Sequence, residues 1–181
     1  MAQAVLNKEI QVKSVDRVRD HGEVLTAKRE VEAMLDLVKN ESERIDSRFL
    51  EPACGDGNFL VAILERKLKT VISRYKSKKV DFEVNLLSAL ASIYGIDLLE
   101  DNVQIAIDRM LEIASACYKE SLKKQPDEEF KNIMRFILQK NILQGDSLNG
   151  IDKIIFNIVI KPPCPILVHN MATSFEVKIY L

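Results

Sequence analysis

The chain contains 181 residues, of which 47% are hydrophobic and 29% are charged, a composition typical of a globular protein with one sizeable core. Its length is marginal for two domains. A formal net charge of −1 argues against strong non-specific binding of nucleic acid by the chain as a whole.

The N-terminal residues 1–25 are polar and irregular, and they contain no long apolar run. We therefore expect neither a signal peptide nor a membrane span, and a cytoplasmic location. The three cysteines, Cys54, Cys117 and Cys164, are widely spaced, which fits a reducing compartment better than a disulfide framework. No CxxC pair is present, so we predict no metal site.

Beyond residue 25, helical and strand patterns alternate along the chain. Helical spacing of apolar residues, with Thr26 as the first N-cap, predicts helices at 27–38, 58–75, 81–91 and 98–112, and a fifth that begins at Pro126 and Asp127. Short apolar runs predict strands at 48–51, 92–97, 141–146 and 152–160. Because no tight hairpin signal separates the strands, the pattern indicates parallel pairing through right-handed crossovers, which gives an open α/β sheet of Rossmann type.

Acidic residues end three of the four predicted strands, namely Glu51, Asp97 and Asp146. Open α/β sheets bind ligands beyond the carboxyl ends of their strands. Taken alone, Asp97 is more simply the N-cap of the next helix, and Asp146 is more simply a turn residue. Together the three acids predict a pocket for an adenosine with a cationic tail, in which Asp97 accepts hydrogen bonds from ribose hydroxyls.

The stretch EPACGDGNFL, residues 51–60, places Gly55 and Gly57 directly after a strand and at the start of a helix. Glycines at such a turn let the backbone bend tightly and approach a ligand without a Cβ clash. The pair alone is a weak signal, because many such turns are purely structural. Asp56 would repel a pyrophosphate at the helix N-terminus, so a cofactor that carries positive charge fits better.

Four motifs in order resemble those of the adenine-specific DNA methyltransferases of restriction–modification systems, which use S-adenosylmethionine. HGEVLT with the helix after it, 21–38, is similar to the N-terminal cofactor motif of the family, and EPACGDGNFL is similar to its main cofactor loop. IYGIDLLEDNVQIA, 93–106, is similar to the acidic ribose motif, and NILQGDSL, 141–148, to the motif that contacts adenine. The resemblance covers about residues 15–164 and implies the Rossmann-like fold of S-adenosylmethionine-dependent methyltransferases.

The resemblance assigns roles around the methionine end of the cofactor. Thr26 would hold the methionine carboxylate, and Ala27 stands where the family often has proline. Glu51 and Ala53, together with the backbone from Gly55 to Gly57, would contact the amino and carboxylate groups of the methionine.

For the adenosine end, the resemblance implies that Asp97 takes the ribose hydroxyls. Asp146 and Ser147 would contact the adenine ring. These assignments agree with the pocket that the acidic strand ends predict independently.

The catalytic motif of the family is an asparagine or aspartate, two prolines and an aromatic residue, and it corresponds here to Lys161, Pro162, Pro163 and Cys164. In the family the polar side chain accepts a hydrogen bond from the amine of an adenine flipped out of duplex DNA, and the aromatic ring stacks on that base. Lys161 offers no acceptor, and Cys164 offers no stacking surface. We therefore expect this chain to be inactive alone.

The predicted organisation has three segments: an N-terminal extension at 1–25, a partial methyltransferase domain at 26–164 and an atypical C-terminal tail at 165–181. The family pattern stops at Lys161, as it would after a truncation, a frameshift or a gene split. We expect a sheet that is incomplete at its C-terminal end, with an open edge suited to a partner subunit or to the second half of a split enzyme.

Two further interpretations of the sequence stay open. The chain could be a non-catalytic S-adenosylmethionine-binding module that a partner subunit completes, whereas the motif order disfavours an RNA or small-molecule methyltransferase. The basic segment 66–79 could contact DNA phosphates, although such a run is more often the solvated face and C-terminal end of an amphipathic helix.

Overall fold

The computed structural model describes residues 26–149, 156–157 and 176–177. These residues form six helices, a three-stranded sheet and a further pair of short strands. The helices are α1 (Lys28–Leu37), α2 (Lys39–Ser42), α3 (Asn58–Tyr75), α4 (Lys79–Ala91), α5 (Glu100–Leu122) and α6 (Glu128–Asn141). The strands are β1 (Phe49–Glu51), β2 (Ile93–Asp97), β3 (Ile142–Gln144), β4 (Phe156–Asn157) and β5 (Glu176–Val177). None of the described helices is both long and apolar enough to cross a membrane.

The first three strands form one parallel sheet in the order β1-β2-β3. Phe49 pairs with Ile93 at one end of the sheet, and Asp97 pairs with Gln144 at the other. The predicted parallel α/β sheet is therefore confirmed for these strands. Because all three strands run in the same direction, Glu51 and Asp97 both lie at the carboxyl end of the sheet. Open α/β sheets bind ligands at this end.

The two faces of β2 are packed differently. Ile93 belongs to the main core with the helices, and a Cβ on Gly95 would lie 2.8 Å from the Cδ1 atom of Leu60 on α3. Tyr94 and Ile96 point to the other face, where they pack in a second, smaller cluster with Phe156. Alternation along the strand thus separates a helix-covered face from a face that Phe156 helps to cover.

The fourth predicted strand, 152–160, is described only at Phe156 and Asn157, which pair antiparallel with Glu176 and Val177. Parallel pairing of this strand with the main sheet is therefore not observed among the described residues. The ring of Phe156 packs edge-on against Tyr94, with 5.1 Å between centroids. Of the three predicted segments, 1–25 and most of 165–181 lie outside the described residues.

Most helix boundaries follow the sequence patterns closely, with three differences. The fourth helix was predicted at 98–112, but α5 ends at Leu122, because its buried stripe continues through Ala114, Cys117 and Tyr118. Asp127 caps α6 by accepting a hydrogen bond from Phe130 N at 2.9 Å, as expected of an acid after Pro126. The predicted cap of the first helix is wrong, because the N-cap residue of α1 is Ala27 and no side chain caps it. A short helix, α2, was also missed, since its four residues are too few to show a period.

A buried lysine ties the amino ends of β1 and β2 together. Lys67 on α3 is fully buried, and its ammonium nitrogen lies 2.5–3.1 Å from four oxygens that share its three N–H donors. These oxygens are the carbonyls of Arg44, Ile45 and Ser47 and the hydroxyl of Ser92. These residues precede the two strands. Removal from water lowers the pKa of Lys67 to about 7.

Arg66 is also turned inward, since it pairs with Glu32 and Asp36 of α1 at 2.5 and 2.8 Å. The first two residues of the basic segment 66–79 therefore hold the fold together. Neither side chain is free to contact DNA phosphates, because both make contacts within the protein.

The lowered pKa of Lys67 predicts a pH-dependent stability. The unfolded chain keeps its proton at Lys67 up to about pH 10.4, whereas the folded chain releases it near pH 7, so stability should rise with pH between these values. From pH 7 to 9, urea unfolding should show a gain of about 2 kcal/mol for the unmodified protein relative to Lys67→Met. Lys69→Met, an exposed lysine on the same helix, is the control and should track the unmodified protein. Parallel pH profiles for the Lys67→Met variant and the unmodified protein would contradict the assignment.

Candidate functional site

The loop between β1 and α3, residues 52–57 and called here the glycine loop, turns the chain sharply at the carboxyl edge of the sheet. Gly55 and Gly57 have φ angles of 53° and 93°, both in the left-handed region that favours glycine. Cys54 N donates to the carbonyl of Ile96 at 2.9 Å, and Gly57 N donates to the carbonyl of Cys54 at the same distance. The loop is thus bonded both to itself and to the neighbouring strand.

Gly57 is required by packing as well as by its φ angle. A Cβ atom at this position would lie 2.9 Å from the Cβ of Ala106 on α5. The position was expected to leave room for a ligand, but the atoms that a side chain would meet first belong to α5. Gly57 therefore has a structural role in the packing of the loop against α5, whether or not the loop binds a ligand.

Asp97 anchors the glycine loop to the end of β2. Its Oδ2 atom accepts from Gly55 N at 2.8 Å, and its Oδ1 atom accepts from Leu99 N at 3.0 Å and from Asn102 Nδ2 at 3.1 Å. The N-cap residue of α5 is Leu99, so Asp97 does not cap the helix in the way that the simpler reading expected. A carboxylate has about four acceptor positions, which leaves one beyond these three bonds.

Arg109 on α5 is a second side chain that holds the glycine loop. Its guanidinium donates to the carbonyl of Asp56 at 2.7 Å, lies 3.0 Å from Asp56 Oδ1 and donates to Asn58 Oδ1 at 2.9 Å. Asn58 in turn donates to the carbonyl of Thr26 at 3.1 Å. The charge of Asp56, expected to favour a cationic ligand, is therefore already matched by Arg109.

Glu51 ends β1 half-buried, and its Oε1 atom accepts from Ala53 N at 3.3 Å. Among the described residues, no basic side chain pairs with it. Burial raises the pKa of Glu51, and the bond from Ala53 partly opposes that rise.

The pKa of the Cys54 thiol depends on its burial and on the charges around it. Burial, together with the negative charges of Asp97, Glu51 and Asp56, raises the pKa of the Cys54 thiol to about 12. The thiol is therefore protonated and unreactive at neutral pH. Its position shows that three carboxylates converge beside the glycine loop, and that Arg109 compensates one of them.

Asp146 sits in an exposed turn after β3. It accepts from Leu148 N at 2.9 Å and from Asn149 N and Nδ2 at 3.0 Å each, and these bonds lower its pKa. These bonds are typical of a turn residue, which is the simpler of the two interpretations of Asp146. Ser147 lies in the same turn and is half-buried. The predicted contact of Asp146 and Ser147 with an adenine stays a prediction.

The predicted site residues are thus brought together only in part. Glu51, Ala53, the two glycines and Asp97 meet at the glycine loop, and Thr26 is joined to it through its backbone carbonyl. The positions that correspond to the catalytic motif, Lys161, Pro162, Pro163 and Cys164, lie outside the described residues.

Sequence reasoning missed two residues of this site, Asn58 and Arg109. The spacing of residues on α5 points to Arg109 only once the contact between Ala106 and Gly57 is known. Ala106 packs against Gly57, and a residue three positions later on a helix lies on the same face. A basic residue at that spacing, opposite an acid in the loop, indicates an ion pair with Asp56.

The conformation of Gly57 predicts a specific second-site effect. Gly57→Ala should destabilise the protein by about 2 kcal/mol or more, because the left-handed φ angle costs about 1–2 kcal/mol and the added methyl overlaps Ala106. In an Ala106→Gly background the same substitution should cost measurably less in urea unfolding, since only the overlap is relieved. Equal costs in both backgrounds would show that Gly57 does not pack against α5 as described.

Comparisons with protein-family models, with curated proteins and with solved structures found no match. The chemistry of the site must therefore be inferred from its own side chains. They form a tightly held glycine loop at the carboxyl edge of a parallel sheet, flanked by the carboxylates of Glu51 and Asp97.

Proposed function

We propose that the chain binds S-adenosylmethionine at the ends of β1 and β2. We further propose that it is the cofactor-binding part of an adenine-N6 DNA methyltransferase of a restriction–modification system. One observation carries the proposal: Glu51 and Asp97 converge on the glycine loop, and the bonds they accept come from neutral donors. Such a site has uncompensated negative charge beside backbone that can approach a ligand, which suits a cationic nucleoside.

Glu51 supplies the attraction for the charged end of the cofactor. S-Adenosylmethionine carries a sulfonium and an ammonium group, and a half-buried carboxylate is less screened than one in water. The raised pKa of Glu51 is that of a half-buried carboxylate without a cationic partner among the described residues, and a bound cation would lower it again.

Asp97 has two tasks in this proposal. It holds Gly55 in place through Oδ2, and the acceptor position left on its carboxylate would receive a ribose hydroxyl. Removing Asp97 would change both the loop and the ribose contact, so a variant of Glu51 tests cofactor binding more cleanly.

The bound cofactor would supply the electrophilic methyl group for transfer to the adenine amine. The family places an acceptor and an aromatic ring where this chain has Lys161 and Cys164. A lysine has donors only and cannot accept a hydrogen bond from the amine, and a cysteine cannot stack on a flipped base. We propose that this chain does not methylate DNA alone, and that duplex DNA is the partner of the complete enzyme.

One observation favours a second candidate, a non-catalytic cofactor-binding module completed by a partner subunit. Among the described residues β1, which ends in Glu51, lies at the edge of the three-stranded sheet, and Leu50 within it is exposed. An edge strand presents free backbone donors and acceptors to another chain. A strand added there would lie next to the cofactor site.

The charge of Glu51 predicts how cofactor affinity depends on pH. Calorimetric titration with S-adenosylmethionine should show affinity that rises with pH through the raised pKa of Glu51 and levels off above it, because the cation needs the ionised carboxylate. Glu51→Gln should bind roughly tenfold more weakly at neutral pH, which corresponds to about 1.4 kcal/mol, and should lose this pH dependence.

The matched control is Glu65→Gln, a half-exposed acid on α3 outside the loop, which should bind as the unmodified protein does. Absence of binding by the unmodified chain would contradict the proposed function. Equal binding by Glu51→Gln and the unmodified protein would show that the cation is held elsewhere.

The sequence at 161–164 predicts the outcome of a methyl-transfer assay. With labelled S-adenosylmethionine and unmethylated duplex DNA, the chain alone should transfer no detectable label. Stacking on a flipped base is worth roughly 1–3 kcal/mol per base, and the orienting acceptor is absent as well. Robust turnover by the chain alone would show that Lys161 and Cys164 are compatible with catalysis and would contradict the inactive assignment.

A further inference from the structure

Both anchors of the glycine loop come from one continuous unit, the strand β2 and the helix α5 that follows it. Asp97 at the end of β2 accepts from Gly55 N, and Arg109 on α5 donates to the carbonyl of Asp56 and pairs with its carboxylate. The loop is thus held at two consecutive residues, Gly55 and Asp56, by side chains from this one unit.

The loop needs such external anchors. Two of its residues have left-handed φ angles, and glycine populates other conformations almost as readily. Hydrogen bonds from outside the loop must therefore select this conformation. Arg109 is well suited to do so, because its planar guanidinium reaches a carbonyl, a carboxylate and an amide oxygen at once.

Arg109 also connects the loop to the segment before α1. Its bond to Asn58 Oδ1 orients that amide so that Nδ2 donates to the carbonyl of Thr26. The guanidinium thus joins three parts of the chain that are far apart in sequence. Arg109, Asn58 and Lys28 line one groove of about 290 Å³ between α1, α3 and α5.

We propose that Arg109 is a positioning residue of the cofactor site, which acts through Asp56 and Asn58 to hold the glycine loop and Thr26 in the arrangement that accepts the cofactor. The link to the cofactor rests on the proposed function, whereas the ordering of the loop does not. Lysine cannot replace Arg109 fully, because its single ammonium carries the charge but lacks the planar fork.

The effect of Arg109 on the glycine loop is tested first, by hydrogen–deuterium exchange of the ligand-free protein. In Arg109→Gln, peptides that cover the glycine loop should exchange about tenfold faster, while the core of α3 around Leu64 keeps its protection. Arg109→Lys should fall between Arg109→Gln and the unmodified protein. Lys119→Gln removes the same charge from an exposed position on the same helix and should leave the loop unchanged.

Cofactor affinity is tested second, by titration with S-adenosylhomocysteine, which avoids turnover. If the competent loop falls to about a tenth of the population, the apparent affinity of Arg109→Gln falls about tenfold. Asn58→Ala should give a similar loss, and combining it with Arg109→Gln should add little further, since both act through the same contacts.

The outcomes separate the two proposals. If the unmodified chain binds no S-adenosylhomocysteine, the proposed function is overturned, and with it the link between Arg109 and the cofactor. Unchanged loop exchange in Arg109→Gln overturns the positioning role whatever the binding result. Faster exchange of α3 and the loop together would also overturn it, because the loss of Arg109 would then act through global stability.

Discussion

The hydrogen bond from Gly55 N to Asp97 Oδ2, 2.8 Å long, joins the loop after β1 to the end of β2, and the rest of the site depends on it. It fixes a glycine with a left-handed φ angle beside a carboxylate, at the edge where parallel strands end. The parallel pairing of β1 and β2 places the two groups within reach, and the packing of Gly57 against Ala106 sets the depth of the loop against α5. A displaced β2 would therefore misplace the loop as a whole.

The charge at the carboxyl end of the sheet depends on which carboxylates have cationic partners. Arg109 compensates Asp56, whereas Glu51 and Asp97 accept only from neutral donors among the described residues. Burial of the Cys54 thiol, together with the negative charges of Asp97, Glu51 and Asp56, raises its pKa to about 12. The negative charges of Glu51 and Asp97 would also stabilise a bound cation.

Much of this architecture could be predicted from local sequence patterns. The boundaries of α3 follow from the glycine loop and from the apolar period between Leu60 and Val71, and the cap of α6 follows from Asp127. The contacts of single polar side chains could not be predicted, because they depend on tertiary neighbours. Thr26 was expected as a side-chain cap and instead offers its carbonyl to Asn58, and Lys67 is buried although its segment looks solvated.

The central claim is that a cationic nucleoside binds at the glycine loop, and an NMR titration of the isotope-labelled protein with S-adenosylmethionine tests it most directly. The account predicts that the largest amide shifts occur at Gly55, Gly57 and the residues that follow Glu51, with smaller shifts at the end of β2. Shifts confined to other surfaces, such as the groove between α1, α3 and α5, or no shifts at all, would contradict it.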